Sequence, residues 1–207
     1  SAAYHGYWVT DFLKIDPHLG TNDDFRVFVE QAHARGLKVY MDIIVNHTAD
    51  VIHFPDNRVD YLESKTHPLR DAATGTPLTE RSFAYNGLGE TARPPLSAER
   101  SFPYRPMVPA AEKTVKNPAW LNDAIFYHNR GNSAFRDESS VHGDFVGLDD
   151  VFTEHPRVVQ GMIEIFSSWV KDYGVDGFRI DTARHVNAEF WQAFGPALRA
   201  AARAAGR

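Results

Sequence analysis

Apolar side chains recur at helical spacing in three stretches of the chain and crowd into two short runs that no amphipathic helix would need. Phe25, Phe28, Val29 and Ala32 fall at i, i+3, i+4 and i+7, which predicts a helix capped by Asn22 or Asp23. Gly36, following His33 and Arg35, supplies a left-handed stop. Residues 37–47 form a nearly continuous, β-branched run ending in Asn46 and His47, and predict a parallel strand buried on both faces. Pro156 occupies a favoured first helical position, and Val159, Met162, Ile163, Phe166, Trp169, Val170 and Tyr173 then make a wide apolar stripe closed by Gly174. A second strand follows over residues 175–181. Asn187 is placed to cap a last helix carrying Phe190, Trp191 and Phe194, which Pro196 is expected to break or kink. Residues 198–207 are helical by propensity, and residues 1–20 read as loop.

Between the two strands the periodicity fades. Over residues 48–150, Pro, Gly, Asn, Asp and Arg are dense, and a structureless loop of that size is rare inside a domain. A small irregular subdomain inserted after the first strand is the better expectation, its modest core drawn from Phe83, Tyr85, Trp120, Phe126 and Tyr127. The predicted organisation is therefore a barrel-type segment over 1–47, the insertion over 48–151, and a second barrel-type segment over 152–207. Helix, strand, insertion, helix, strand, helix is the alternation of an α/β protein with a parallel sheet. Neither strand runs into a Gly-rich phosphate turn, which argues against a nucleotide fold. Polar residues at the carboxyl ends of both strands favour part of a (β/α)8 (TIM) barrel.

The second strand carries the chemistry. Side chains alternate faces along a strand, so Arg179 and Asp181 project together from the one face. Each offsets the cost of burying the other, and the guanidinium favours an ionised Asp181. A structural ion pair is the plainer reading of the same two residues. With 207 residues and a net charge of -5 without a basic stripe, the chain offers nothing to nucleic acid or an anionic membrane. No apolar run is long enough to span a bilayer, and the absence of cysteine excludes disulfides and thiolate metal sites. The opening residues, from Ser1 through Tyr4-His5-Gly6-Tyr7-Trp8, read as the middle of a domain, so the chain is expected to be a piece of something larger.

Two segments, Asp42-Ile43-Ile44-Val45-Asn46-His47 and Gly177-Phe178-Arg179-Ile180-Asp181-Thr182-Ala183-Arg184-His185, resemble the first two signature regions of the α-amylase family, glycoside hydrolase family 13. Tyr4-His5-Gly6-Tyr7-Trp8 resembles the family's substrate-site loop. Leu148-Asp149-Asp150-Val151 resembles the signature that closes its inserted B domain, with Asp149 where many members carry Pro. The resemblance implies Asp181 as nucleophile of a retaining mechanism, oriented by Arg179, with a second carboxyl roughly 5–5.5 Å away. It implies that His5, His47 and His185 bond sugar hydroxyls, that Tyr7 stacks on the ring at the cleavage point, and that Arg184, often Lys in relatives, contacts the leaving-group side.

It further implies a structural Ca2+ held by Asn46, Asp150 and the main-chain carbonyl of His185, an all-oxygen set of the kind calcium takes. Zinc is the weaker alternative, because ten histidines are present without a His-Glu-x-x-His spacing. The family's general acid, a Glu, and its second Asp would lie beyond Arg207, and the first barrel strands before Ser1. The implied activity is cleavage of α-1,4-glucosidic bonds in α-glucans or maltooligosaccharides by the parent protein. The alternatives are transglycosylation or isomerisation on the same intermediate, and a non-catalytic carbohydrate-binding segment. An extracellular location is implied only for a polymer-degrading parent.

Overall fold

The computed structural model describes residues 5–83 and 93–206. In chain order these form helix α1 (Asn22–His33), strand β1 (Tyr40–Ile44), a two-residue antiparallel pair β2 (Leu69–Arg70) and β3 (Pro77–Leu78), one helical turn α2 (Ser139–His142), helix α3 (Pro156–Tyr173), strand β4 (Gly177–Asp181) and helix α4 (Ala188–Ala204). β1 and β4 pair in parallel, with Tyr40 opposite Gly177, Asp42 opposite Arg179 and Ile44 opposite Asp181.

Helix α1 begins one or two residues earlier than the sequence pattern indicates. Thr21, not Asn22 or Asp23, is its cap: Thr21 Oγ1 accepts from the Asp24 amide at 3.2 Å while Asp24 Oδ2 accepts from the Thr21 amide at 2.8 Å. Asn22 is drawn away to bond Leu13 O and Tyr173 Oη, both at 2.8 Å, and so ties the helix to the end of α3. Val29 and Ala32 are buried against Val39, but Phe28 is 58% exposed, so the buried stripe is narrower than its spacing implied.

Helix α3 is the spine. His155 caps it, Pro156 opens it, and Gly174 closes it at φ +78°, a conformation that suits a residue without Cβ. Val159, Met162, Phe166 and Trp169 on its buried face meet Ile43 of β1 and Val45 just after it, Phe190, Phe194 and Leu198 of α4, and Leu121, Tyr127 and Val151 from the long middle segment. Gly161 admits the Trp120 ring so closely that a Cβ there would lie 2.4 Å from it. Helix α4 does not break at Pro196. Pro196 and Gln192, four residues before it, are both exposed. The carbonyl that loses its helical partner therefore faces water, and Gly195 spares the preceding residue a Cβ clash.

The expectation that β1 is buried on both faces fails. Tyr40 is 68% exposed and Asp42 is also exposed, and only Ile43 and Ile44 are buried within the strand. Double burial needs a layer packed on each face, and among the described residues the face of this two-stranded sheet that carries Tyr40 and Asp42 is exposed at both of them. Asp176 fixes how these two strands start. Its amide donates to Val39 O and its carboxylate accepts from the Val39 amide, each at 2.9 Å.

Residues 48–150 hold together through side chains more than through ladders. Arg130, fully buried, bonds Glu80 Oε1 at 2.8 Å and the carbonyls of Leu62 and His67 at 3.0 and 2.9 Å. Lys116 and Asp149, each about 2% exposed, form a 2.5 Å ion pair. Phe83 and Tyr127 are buried and Trp120 and Phe126 half-buried, as aromatic core residues should be, whereas Tyr85 lies outside the described residues. No helix among the described residues is long and apolar enough to cross a membrane.

Candidate active site

The parallel register of β1 and β4 sets Asp42 beside Arg179, and strand alternation sets Asp181 on the same face. The Arg179 guanidinium then lies between two carboxylates. Its Nη1 is 3.1 Å from both oxygens of Asp42 and 2.9 Å from Asp181 Oδ1. It also donates to Tyr7 Oη at 3.3 Å, while the Tyr7 hydroxyl donates to Asp42 Oδ2 at 3.2 Å. The hydrogen bond to Asp42 raises the pKa of Arg179 further above its already high value, against the opposing effect of desolvation and with the charges of Asp42 and Asp181 adding to the rise.

The pair is less buried than the strand pattern suggested. The side chains of Arg179, Asp42 and Asp181 are 56%, 45% and 27% exposed. Asp181 is therefore held at one oxygen and open to a ligand. Asp42 received no role in the sequence reading. The signal for it was a charged residue breaking an apolar run two steps before the strand's end, and it gains meaning only when the register places it opposite Arg179.

Backbone strain sits beside the carboxylate. Thr182 adopts φ +54°, rare for a β-branched residue, and its hydroxyl donates to Asp181 O at 2.8 Å. The turn sends residues 183–185 back across the strand end, so that His185 is buried while Arg184 projects into solvent. Arg184 thus stands apart from the cluster. On the other side, the Tyr7 amide donates to His5 Nδ1 at 3.0 Å and the two rings stack at 5.4 Å, a local knot that holds Tyr7 toward Asp42. Tyr4 of the same motif lies outside the described residues.

His47 and His185 meet through an aromatic that the sequence reading passed over. Phe145 stacks on His47 at 5.2 Å and 14° and meets His185 edge-on at 5.3 Å. Burial pushes the His47 pKa down to about 4, against the pull of the Asp181 charge and the Tyr7 backbone, so His47 is neutral at neutral pH. His185 Nδ1 donates to Ser140 O at 2.7 Å, which fixes the tautomer and leaves Nε2 for other partners.

Behind these rings lies a buried acidic pocket. Asn46 and Asp150 are 2% and 1% exposed, and their backbones are joined by the Val151 amide donating to Asn46 O at 2.8 Å. Asp144, unnoticed in the sequence, is buried beside them and accepts from the Asp150 amide at 3.1 Å. Burial lifts the Asp144 pKa well above the carboxylate range, and the charges of Asp150 and Asp149 lift it further. Burial likewise raises Asp150 to about 6, although His128 Nδ1 donates to it at 2.6 Å. Two buried acids side by side, with a neighbouring amide oxygen, make a hard-oxygen donor set in which His128 already engages one oxygen of Asp150. That chemistry fits Ca2+.

Residues 1–195 match the family model "Alpha amylase, catalytic domain". The whole chain aligns with 22% of the length of an alpha-amylase from Streptomyces lividans at 48% identity over 207 residues. An alpha-amylase structure from Malbranchea cinnamomea superposes with a TM-score of 0.60 at 24% identity, over 96% of this chain and 32% of that one. The alpha-amylase from Geobacillus thermoleovorans, solved in complex with acarbose, superposes at 0.58 and 24% identity, over 96% and 31%. At that identity the superpositions establish a shared fold, that of part of the barrel. This chain spans between about a fifth and a third of the length of these proteins.

Proposed function

Because this chain belongs to the alpha-amylase family, we propose that its protein cleaves α-glucosidic bonds in α-glucans or maltooligosaccharides with retention of configuration, and that Asp181 is the nucleophile. The observation that carries this reading is the Arg179 guanidinium held between Asp42 of one parallel strand and Asp181 at the carboxyl end of the other, with the Asp181 carboxylate open rather than sealed. In this reading Asp181 attacks the anomeric carbon and forms a covalent glycosyl ester. The carboxylic acid that protonates the departing oxygen, and later activates water, is supplied from outside these 207 residues. Arg179 holds the Asp181 oxygen in place and keeps it charged, while Asp42 and Tyr7 hold Arg179.

His47, His185 and His5 bond sugar hydroxyls, and Tyr7 offers its ring face to the sugar bound at the cleavage point. Arg184, exposed beyond the turn, reaches the leaving-group side. Residues 48–151 constitute an inserted B-type subdomain between barrel segments 1–47 and 152–207. Asn46, Asp150 and the His185 carbonyl, joined by Asp144, would hold a structural Ca2+ that ties the subdomain to the strand ends. The test is Asp181→Asn in the full-length protein, with turnover on maltooligosaccharides and glucan binding measured in parallel. Turnover should fall by several orders of magnitude with binding largely retained. Substantial residual turnover would remove Asp181 from the nucleophile role.

A further inference from the structure

One cluster of ligating side chains stands behind the acidic pocket and has no part in the sugar chemistry. His128, His142 and Glu154 each present one nitrogen or oxygen atom, and these atoms all lie within 4.8 Å of one another. His128 Nε2 is 2.9 Å from Glu154 Oε2, and His142 Nε2 is 3.3 Å from Glu154 Oε1. Around a tetrahedral ion with bonds of about 2.0–2.1 Å, neighbouring ligand atoms are separated by roughly 3.3 Å. The two imidazoles reach the two different oxygens of the one carboxylate, at 2.9 and 3.3 Å, so a shared ion would lie between them with the carboxylate turned to present one oxygen or both. All three ligand atoms lie within 4.8 Å, so no separation has to close by more than roughly 1.5 Å.

The surroundings resemble those of a metal-binding histidine. His128 is fully buried, and its other ring nitrogen, Nδ1, is 2.6 Å from Asp150 Oδ2. A carboxylate orienting a ligand histidine from behind is the usual outer partner of a bound zinc. The backbone reinforces it, since the His128 amide donates to Asp150 O at 3.1 Å. His142 stands at the end of the single turn α2, its ring 4.9 Å from that of His128, and its Nδ1 makes no hydrogen bond. Its ring therefore joins the cluster through Nε2 alone. Glu154 immediately precedes the cap of α3.

We propose that His128 Nε2, His142 Nε2 and Glu154 form a binding site for Zn2+ or a similar borderline transition-metal ion, clamping residues 128–142 to the start of α3. Two imidazoles and one carboxylate suit zinc, with water in the fourth position, and do not suit calcium, which prefers oxygen throughout. The site is separate from the acidic pocket and adjoins it at Asp150. It escaped the sequence reading because its three ligands are not on one helix but come from an extended strand-like segment, a helical turn and a loop, roughly a dozen residues apart.

The test titrates the full-length protein, saturated with Ca2+, with ZnCl2 by calorimetry and with Co2+ by visible absorption. One equivalent of Zn2+ should bind in the presence of excess Ca2+, Co2+ should give the intense bands of a tetrahedral site, and Zn2+ should raise the melting temperature. His142→Ala should weaken Zn2+ binding by at least about 10- to 100-fold and remove the Co2+ bands and the thermal shift. Glu154→Gln, tested in parallel, keeps the assay decisive if His142→Ala does not fold, and should produce the same loss. Absence of stoichiometric Zn2+ binding in the wild-type protein would overturn the proposal and leave the cluster a proton-shared network. Undiminished Zn2+ binding in a folded variant would overturn it equally, by placing the metal elsewhere.

Discussion

Asp176→Asn should loosen the start of the strand pair on which the site depends. The Asp176 carboxylate, 7% exposed, accepts from the Val39 amide at 2.9 Å, His33 Nε2 at 2.7 Å and Lys38 Nζ at 3.1 Å. Burial alone would raise its pKa, but these three donors outweigh burial and lower it from 3.8 to about 2. At roughly 1.4 kcal/mol per pH unit this corresponds to about 2 kcal/mol of stability at neutral pH. The figure is kept at the low end because Lys38 is 73% exposed and its contribution is screened.

Because the folded-state pKa is depressed, the contribution is complete above the unfolded value of 3.8 and is lost as the pH falls through about 2. Urea unfolding of the wild-type and variant full-length proteins, followed from pH 7 to pH 3, should show a stability gap of about 2 kcal/mol that holds down to mildly acidic pH and narrows below it. Should the gap at pH 7 be under about 0.5 kcal/mol, the range of an ordinary surface change, or should it stay constant to pH 3, the clamp assigned to Asp176 is wrong.

Asp42→Asn should lower kcat/KM on maltooligosaccharides by at least tenfold with a melting temperature near that of wild type, because it frees Arg179 without disturbing the core. Activity within threefold of wild type would show that Asp42 does not position the guanidinium. Removing bound cations with a chelator should lower the melting temperature, and adding back Ca2+ alone should restore most of the loss. Failure of Ca2+ to restore it would count against the Asn46, Asp144 and Asp150 site. Lys116→Met should destabilise the protein by about 3–5 kcal/mol in chemical denaturation, since it strands the buried Asp149 without its cation. A change below about 1 kcal/mol would mean that the Val51 and Ile52 amides, which also donate to Asp149, suffice to hold it.

The local pattern of the sequence determined the helices and strands and which charged side chains share a face. The 3.6-residue stripe between Pro156 and Gly174 could only be a helix packed along one side, and it is. Strand alternation was enough to put Arg179 and Asp181 on one face, because that relation lies within a single element. The motif residues likewise pointed to His47, His185 and Tyr7, which the fold gathers around the same strand ends. The break expected at Pro196 does not occur, because propensity cannot say which side of a helix faces water, and an exposed carbonyl tolerates what a buried one would not.

Contacts between distant segments were decided by tertiary structure alone. Asp42 meets Arg179 across 137 residues of chain, Asp144 shares a pocket with Asp150 and Asn46, and Phe145 stands between two histidines. His128, His142 and Glu154 converge from three separate pieces of backbone. A one-dimensional period records which face a residue is on, and it holds no record of which other face will be folded against it. Register and loop path supply that, and they are properties of the packed chain.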